Sequence, residues 1–181
     1  MPNWCSNTVT LRHEDSTQIT RAVEAFERGE MFNEFVPLPG AEQENWYDWH
    51  ISNWGTKWDV GGSDYGKPEV DPTGNSASFN FDSAWSPPVA WYERMQDLGF
   101  EVEAYYYESG MCFAGKYDVN GDDYYEFSDM NSDEVRDTLP DDLDDMFAIS
   151  ETMKNYEDEE TLTEWYMEGA KEKGLIKDGN D

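Results

Sequence analysis

"NTVTLRHEDSTQITRAVEAFERGE", residues 7–30, joins a strand pattern directly to a helix pattern. Val9 and Leu11 alternate with polar residues, which is typical of a strand with one buried face. Asp15 or Ser16 can cap the helix that follows, and a glycine ends it. Apolar residues recur along this helix at helical spacing: Ile19, Ala22, Val23 and Phe26. The stretch therefore predicts a β-α unit whose helix covers one face of a sheet.

A second unit of the same kind follows later in the chain. Residues 76–85, "SASFNFDSAW", alternate as a strand, and residues 86–99, "SPPVAWYERMQDLG", form a helix pattern. Ser86 is the predicted N-cap, and Pro87 occupies the first helical position. Two further strands, "FEVEAYYYES" and "CFAGKYDV", come next, and Asn120-Gly121 predicts a hairpin turn into another strand.

The segment between the two units is rich in tryptophan. Residues 41–55, "AEQENWYDWHISNWG", predict a helical insertion that carries three tryptophans and His50. Residues 56–60, "TKWDV", resemble a short strand, and the glycine-rich residues 61–75 predict a loop. The element order predicts an α+β fold: a ferredoxin-like βαββαβ sandwich with an added β-hairpin and a helical acidic C-terminal extension.

The C-terminal third has a different composition. Residues 118–181 hold 22 acidic and five basic residues. We predict a ferredoxin-like domain over residues 1–128, with the insertion at about 41–55, and an acidic helical extension over 129–181. A stripe in the extension predicts a docked helix: Leu162, Trp165, Tyr166 and Gly169.

The charge balance restricts the class of partner. The 181 residues contain 41 Asp and Glu against 12 Lys and Arg, for a formal net charge of −29. Direct binding to nucleic acid is disfavoured, because phosphate contacts depend on lysine and arginine. Anionic membrane surfaces are disfavoured for the same reason. A strong negative field instead attracts basic proteins or divalent cations.

The N-terminus and the cysteines indicate the compartment. "MPNWCSNTVT" has neither the basic nor the apolar region of an export signal. We therefore expect a cytoplasmic protein of a bacterial host cell, with Cys5 and Cys112 reduced.

Three separated tryptophan motifs carry a family resemblance: "MPNWCSNTV" at the start, "NWGTKWD" at 53–59, and "FDSAWSPP" at 81–88. Over roughly residues 1–120 the chain resembles the YubB ferredoxin-like family, small proteins found mostly on plasmids and bacteriophages. The resemblance implies the same fold as the periodicity does. It implies no activity, because none defines the family.

Two interpretations of the tryptophan motifs stay open. One is a structural corner, in which polar neighbours satisfy turn backbones and indole N–H groups. The other is a site for a small ligand or peptide, or for an uncharacterised enzyme activity, with Lys57 and Asp59 as a charge pair. The candidate binding residues at this corner are Asn3, Trp4, Asn7, Trp54, Lys57, Trp58, Asp59 and Trp85.

The acidity also has several interpretations: solubility, adaptation to salt, or imitation of the charge of DNA. The third would make the protein an inhibitor that occupies the basic cleft of a host DNA-binding protein, as suits a phage or plasmid accessory protein. The carboxylates expected to face such a partner are Asp141, Asp142, Asp144, Asp145, Glu157, Asp158, Glu159 and Glu160.

Motifs of catalysis and of cofactor binding give little support to an enzyme. No nucleophile elbow, phosphate-binding glycine loop or zinc-protease motif occurs in the sequence. Residues 118–129 echo a calcium loop, but Asp123 stands where the loop needs glycine and strands flank it, so a hairpin is predicted. We predict a non-enzymatic protein without cofactor, metal or catalytic residues.

Overall fold

The computed structural model describes residues 3–172, with side chains up to residue 167. These residues form an α+β fold of six strands and seven α-helices. The elements, in chain order, are β1 (Trp4–Arg12), α1 (Ser16–Arg28), α2 (Met31–Phe35), a 3₁₀ turn (Gly40–Asn45), α3 (Trp46–Asn53), β2 (Glu69–Val70), β3 (Ser76–Ala84), α4 (Val89–Asp97), β4 (Glu101–Glu108), β5 (Phe113–Asp118), β6 (Gly121–Glu126), α5 (Ser132–Thr138), α6 (Asp141–Phe147) and α7 (Ile149–Glu172).

The six strands form one antiparallel sheet in the order β2-β3-β1-β4-β5-β6. β1 is paired along its length with β3 and along most of it with β4. Its alternation buries Val9 and Leu11 on one face, as predicted, and leaves Thr8 and Thr10 less buried on the other. The sheet presents an apolar face because β1, β3 and β4 follow this period of two along most of their length.

Helix α1 follows the predicted local rules. The carboxylate of Asp15 accepts the N–H of Thr17 at 2.9 Å, and Gly29 ends the helix at φ 76°. Ile19, Ala22 and Phe26 are fully buried on the core side. The helix forms here because its cap, its apolar spacing and its stop all agree.

Helix α4 begins later than the sequence predicts, at Val89 with Pro88 as N-cap, so the prediction that Ser86 is the cap is wrong. A residue that precedes proline is kept out of the helical region, which delays the helix past the proline pair. The hydroxyl of Ser86 instead donates to the carbonyl O of Gly55 at 2.6 Å.

The segment at residues 41–60 differs from its prediction in one part. Residues 41–53 are helical, as a 3₁₀ turn followed by α3. Residues 56–58 form bends and residues 59–60 are irregular, so the prediction of a strand at 56–60 is wrong. The strand at the β3 edge of the sheet is β2, which lies inside the predicted loop and has only two residues.

The chain divides into two compact units, residues 1–128 and 129–181. In the second unit α5 opens with a capping box between Asn131 and Glu134. Among the residues of this unit whose side chains are described, the buried apolar ones are Val135, Leu139, Leu143 and Ile149.

The side chains of the stripe that predicted a docked helix are exposed. Leu162, Trp165 and Tyr166 are 53%, 65% and 63% exposed. Gly169 lies outside the residues whose side chains are described. Across residues 3–172, no helix combines the length and apolarity needed to cross a membrane.

Gly61 makes the tightest backbone approach in the loop after α3. It lies at φ 110°, and a Cβ there would overlap the carbonyl O of Phe26. We expect Gly61→Ala to lower the free energy of unfolding by about 3 kcal/mol or more, through backbone strain and displacement of α1. Urea denaturation measures this. Gly66→Ala is the matched control, because a Cβ at Gly66 meets nothing within 4 Å; an equal loss in both variants would contradict the explanation.

Candidate functional site

The predicted tryptophan corner consists of a buried half and an exposed half. In the buried half, the Trp54 indole N–H donates to the carbonyl O of Val36 at 2.9 Å, and His50 stacks on the Trp54 ring at 3.8 Å. The Asn7 side chain is also buried and donates to the carbonyl O of Cys5 at 2.7 Å and to Ser83 Oγ at 2.9 Å. These side chains serve the fold, because their polar groups are satisfied inside the protein.

Asp59 caps a helix and does not pair with Lys57. Its carboxylate accepts the backbone N–H groups of Phe32 at 2.7 Å, Asn33 at 2.9 Å and Val60 at 2.8 Å. The first two are donors at the start of α2 that have no partner within that helix. Burial raises the pKa of Asp59 to about 6, although the three N–H groups act in the opposite direction. The predicted charge pair is therefore wrong.

The exposed half forms what we call the tryptophan surface: Trp4, Tyr47, Lys57, Trp58 and Trp85. The Trp4 and Trp58 ring centroids lie 6.0 Å apart. Lys57 Nζ lies 4.4 Å from the centroid of Trp58 and 5.7 Å from that of Tyr47. Lys57 makes no salt bridge to a carboxylate within the described residues. It is held by aromatic faces alone, in a strongly acidic chain.

Trp85 has an unusual backbone on this surface. Its φ is 72°, in the left-handed region, and its side chain is 50% exposed. Its N–H donates to the carbonyl O of Asn3 at 2.9 Å, which places its backbone beside the start of β1. A bulky residue in this region is a genuine outlier and costs about 1–2 kcal/mol. Neither burial nor backbone preference explains a tryptophan here.

Two of the carboxylates predicted to face a partner have structural partners instead. Asp144 is buried, and it accepts both the N–H and the hydroxyl of Ser150, in the first turn of α7. Glu157 accepts the N–H of Ser132 at 2.8 Å and its hydroxyl at 2.6 Å, and these bonds lower the pKa of Glu157. Both tie helix starts to neighbouring helices.

The other six predicted carboxylates are exposed. Asp158 pairs with Lys154 at 3.2 Å, an exposed contact one helical turn apart. The side chains of Asp141, Asp145, Glu159 and Glu160 have no ion pair or hydrogen bond within the described residues. Fewer of the eight predicted carboxylates are therefore available to a partner than the number of acidic residues suggests.

Other reactive groups are engaged in structure. Burial raises the pKa of the Cys5 thiol, which keeps it protonated and a poor nucleophile. His13 Nδ1 accepts the N–H of Asp15 at 3.0 Å. At residues 118–121 a hairpin turn joins β5 to β6, and Asp118 accepts the N–H of Asn120 within it. Among the described residues no group of three or more His, Cys, Asp or Glu side chains is placed to hold a metal ion.

Two features of the tryptophan surface escaped sequence reasoning. Tyr47 belongs to this surface, but helical spacing did not predict it. Helix α3 has no buried residue that would show which of its sides faces outward. The left-handed backbone of Trp85 has no signal in the sequence, since glycine or asparagine usually marks such positions.

Comparisons of the chain with protein-family models, with curated proteins and with solved structures find no match.

The Asp59 cap predicts a pH dependence of stability. Its pKa is raised to about 6 in the folded state from a model-compound value of 3.8. The native state therefore takes up a proton that the unfolded state lacks, and the stability that this adds is complete below 3.8 and lost as the pH rises through about 6. In urea denaturation, the wild type should gain up to about 3 kcal/mol relative to Asp59→Asn between about pH 7 and pH 4. A difference between the two proteins that does not change with pH would contradict this.

Asp144 and Asp145 offer a matched pair of neighbours. We expect Asp144→Ala to destabilise the start of α7 by about 1–3 kcal/mol, because Ser150 loses both of its acceptors. Asp145→Ala should change stability by less than about 0.5 kcal/mol. Hydrogen exchange at the Ser150 amide measures the local effect. Equal protection of the Ser150 amide in the two variants would contradict the structural role of Asp144.

Proposed function

We propose that this chain is a non-enzymatic binding protein that holds a basic partner protein through the tryptophan surface. The observation that carries the proposal is Trp85, which is half-exposed at φ 72°. Strained residues persist where the surrounding structure fixes them, and they cluster at functional sites. A side chain that folding does not need is best explained by a contact outside the chain.

The chemistry of the surface favours a protein partner. Trp4, Trp58 and Trp85 are 48%, 40% and 50% exposed, so up to half of the surface of each is available to a partner. Tryptophan is enriched among the residues that dominate binding energy at protein interfaces. The Trp58 ring already holds the Lys57 ammonium at 4.4 Å. An arginine from a partner would find equivalent faces on Trp4 and Trp85.

The net charge supports a basic partner. At −29, the chain repels nucleic acid and anionic membranes and accelerates its encounter with a positively charged protein. A more specific version of this proposal is that the chain imitates the charge of DNA. Its partner would then be a host DNA-binding protein, which the contact inhibits. This version is supported by carboxylates that have no ion pair or hydrogen bond within the described residues: Asp141, Asp145, Glu159 and Glu160.

The proposal also includes the detailed topology of the fold and the origin of the protein. A helix follows β1 and another follows β3, and the strand order β2-β3-β1-β4 supports a ferredoxin-like core to which β5 and β6 are added. The three tryptophan motifs support membership of the YubB ferredoxin-like family, and with it a plasmid or phage origin and a place in the bacterial cytoplasm.

Trp85→Gly tests the proposed function. Glycine removes the indole and adopts the left-handed region freely, so stability should stay unchanged or rise by about 1 kcal/mol. Binding should be lost. The measurement is a pull-down from bacterial lysate with full-length baits, followed by mass spectrometry of retained proteins and elution with salt or with duplex DNA.

Ala148→Gly is the matched control, because Ala148 also lies in the left-handed region, at φ 49°, but in the second unit. The wild type and Ala148→Gly should retain the same basic protein, and Trp85→Gly should not. Elution by duplex DNA would support imitation of DNA, and elution by salt alone would restrict the proposal to a basic partner. Equal retention by all three baits would overturn the role of the tryptophan surface.

A further inference from the structure

The distal half of α7 exposes a continuous apolar face. Leu162, Trp165 and Tyr166 are each more than half exposed, and the Trp165 and Tyr166 rings lie 5.1 Å apart. Residues three and four apart share one side of a helix, so the three side chains form one patch, which we call the α7 distal face. It lies roughly opposite the packed side of the helix, where Ile149 is buried and Glu157 binds Ser132.

The charge around this face is of one sign. Residues 155–168 contain six acidic residues and no basic one. Asp158 and Glu159 precede Leu162 by four and three residues, so they lie on the same side of the helix. Lys154 neutralises Asp158 in part, while the Glu159 side chain has no partner within the described residues.

These charges discriminate among possible occupants. A second copy of the chain would bring two sets of six acids together and would be repelled. Anionic lipid and nucleic acid are repelled in the same way. A helix with an apolar stripe flanked by lysine or arginine matches both features, because its stripe covers the aromatic rings and its flanks meet the carboxylates.

We infer that the α7 distal face is a docking site for a basic amphipathic helix of another protein. This site belongs to the second unit and makes no use of the tryptophan surface. Exposed Trp and Tyr supply the apolar contact area, with few rotatable bonds to immobilise. The carboxylates orient the docked helix and accelerate its association, and this acceleration falls as salt is added.

A synthetic peptide tests the inference with the full-length chain. The probe is a dye-labelled helix of leucine and lysine whose leucines lie at helical spacing, and the control peptide has the same composition in scrambled order. Fluorescence anisotropy should show binding of the amphipathic peptide, weakening as salt is added. The double variant Leu162→Ala/Trp165→Ala should bind at least about tenfold more weakly, since alanine keeps the helix and removes the patch.

Tyr156→Ala is the matched control, because Tyr156 is 69% exposed on another side of the same helix. It should bind the peptide as the wild type does, and so should Trp85→Gly, which separates this site from the proposed function. Equal binding of the scrambled peptide, or unchanged binding by the double variant, would overturn the inference. Sedimentation equilibrium showing a wild-type dimer that the double variant abolishes would also overturn it, and would assign the face to self-association.

Discussion

A buried hydrogen-bond network beneath the tryptophan surface fixes the geometry of this end of the sheet. The Asn7 amide donates to Cys5 and Ser83, and its oxygen accepts the Tyr92 hydroxyl at 3.1 Å. One side chain thus joins β1, β3 and α4. Because a buried amide costs several kcal/mol when its groups lack partners, arrangements of the three elements that break these bonds are disfavoured.

The network continues outward to the loops that carry the exposed rings. Ser83 donates to the carbonyl O of Ser86, Ser86 donates to that of Gly55, and Thr56 donates to that of Ala84 at 2.9 Å. The loops after α3 and β3 are therefore tied to each other within the fold itself. This constraint explains how Trp85 can hold a strained backbone.

The sequence was most informative where structure depends on local pattern. Strand β1 and helix α1 follow from alternation, capping and apolar spacing within a few residues, and the β5–β6 hairpin follows from Asn120-Gly121. Prediction failed where a contact with a residue distant in sequence determines the local conformation. Residues 56–60 have a strand-like composition, but Asp59 is drawn to the start of α2, a partner 26 residues away whose approach no local pattern shows. The tryptophans marked the corner without showing which rings face outward, because indoles suit both interiors and interfaces.

The spacing of residues along α7 separates its packed side from its exposed side. Ile149, Met153 and Glu157 recur every four residues and define the packed side, whereas Leu162 lies roughly half a turn away from them around the helix. That shift is readable in the sequence, and it separates a packing stripe from an exposed one. The acidic residues divide in the same way: Asp144 and Glu157 accept hydrogen bonds at helix starts, while the Glu159 side chain lies on the side of the exposed rings and has no partner within the described residues. Net charge alone does not separate these two groups of carboxylates, whereas their positions around the helix do.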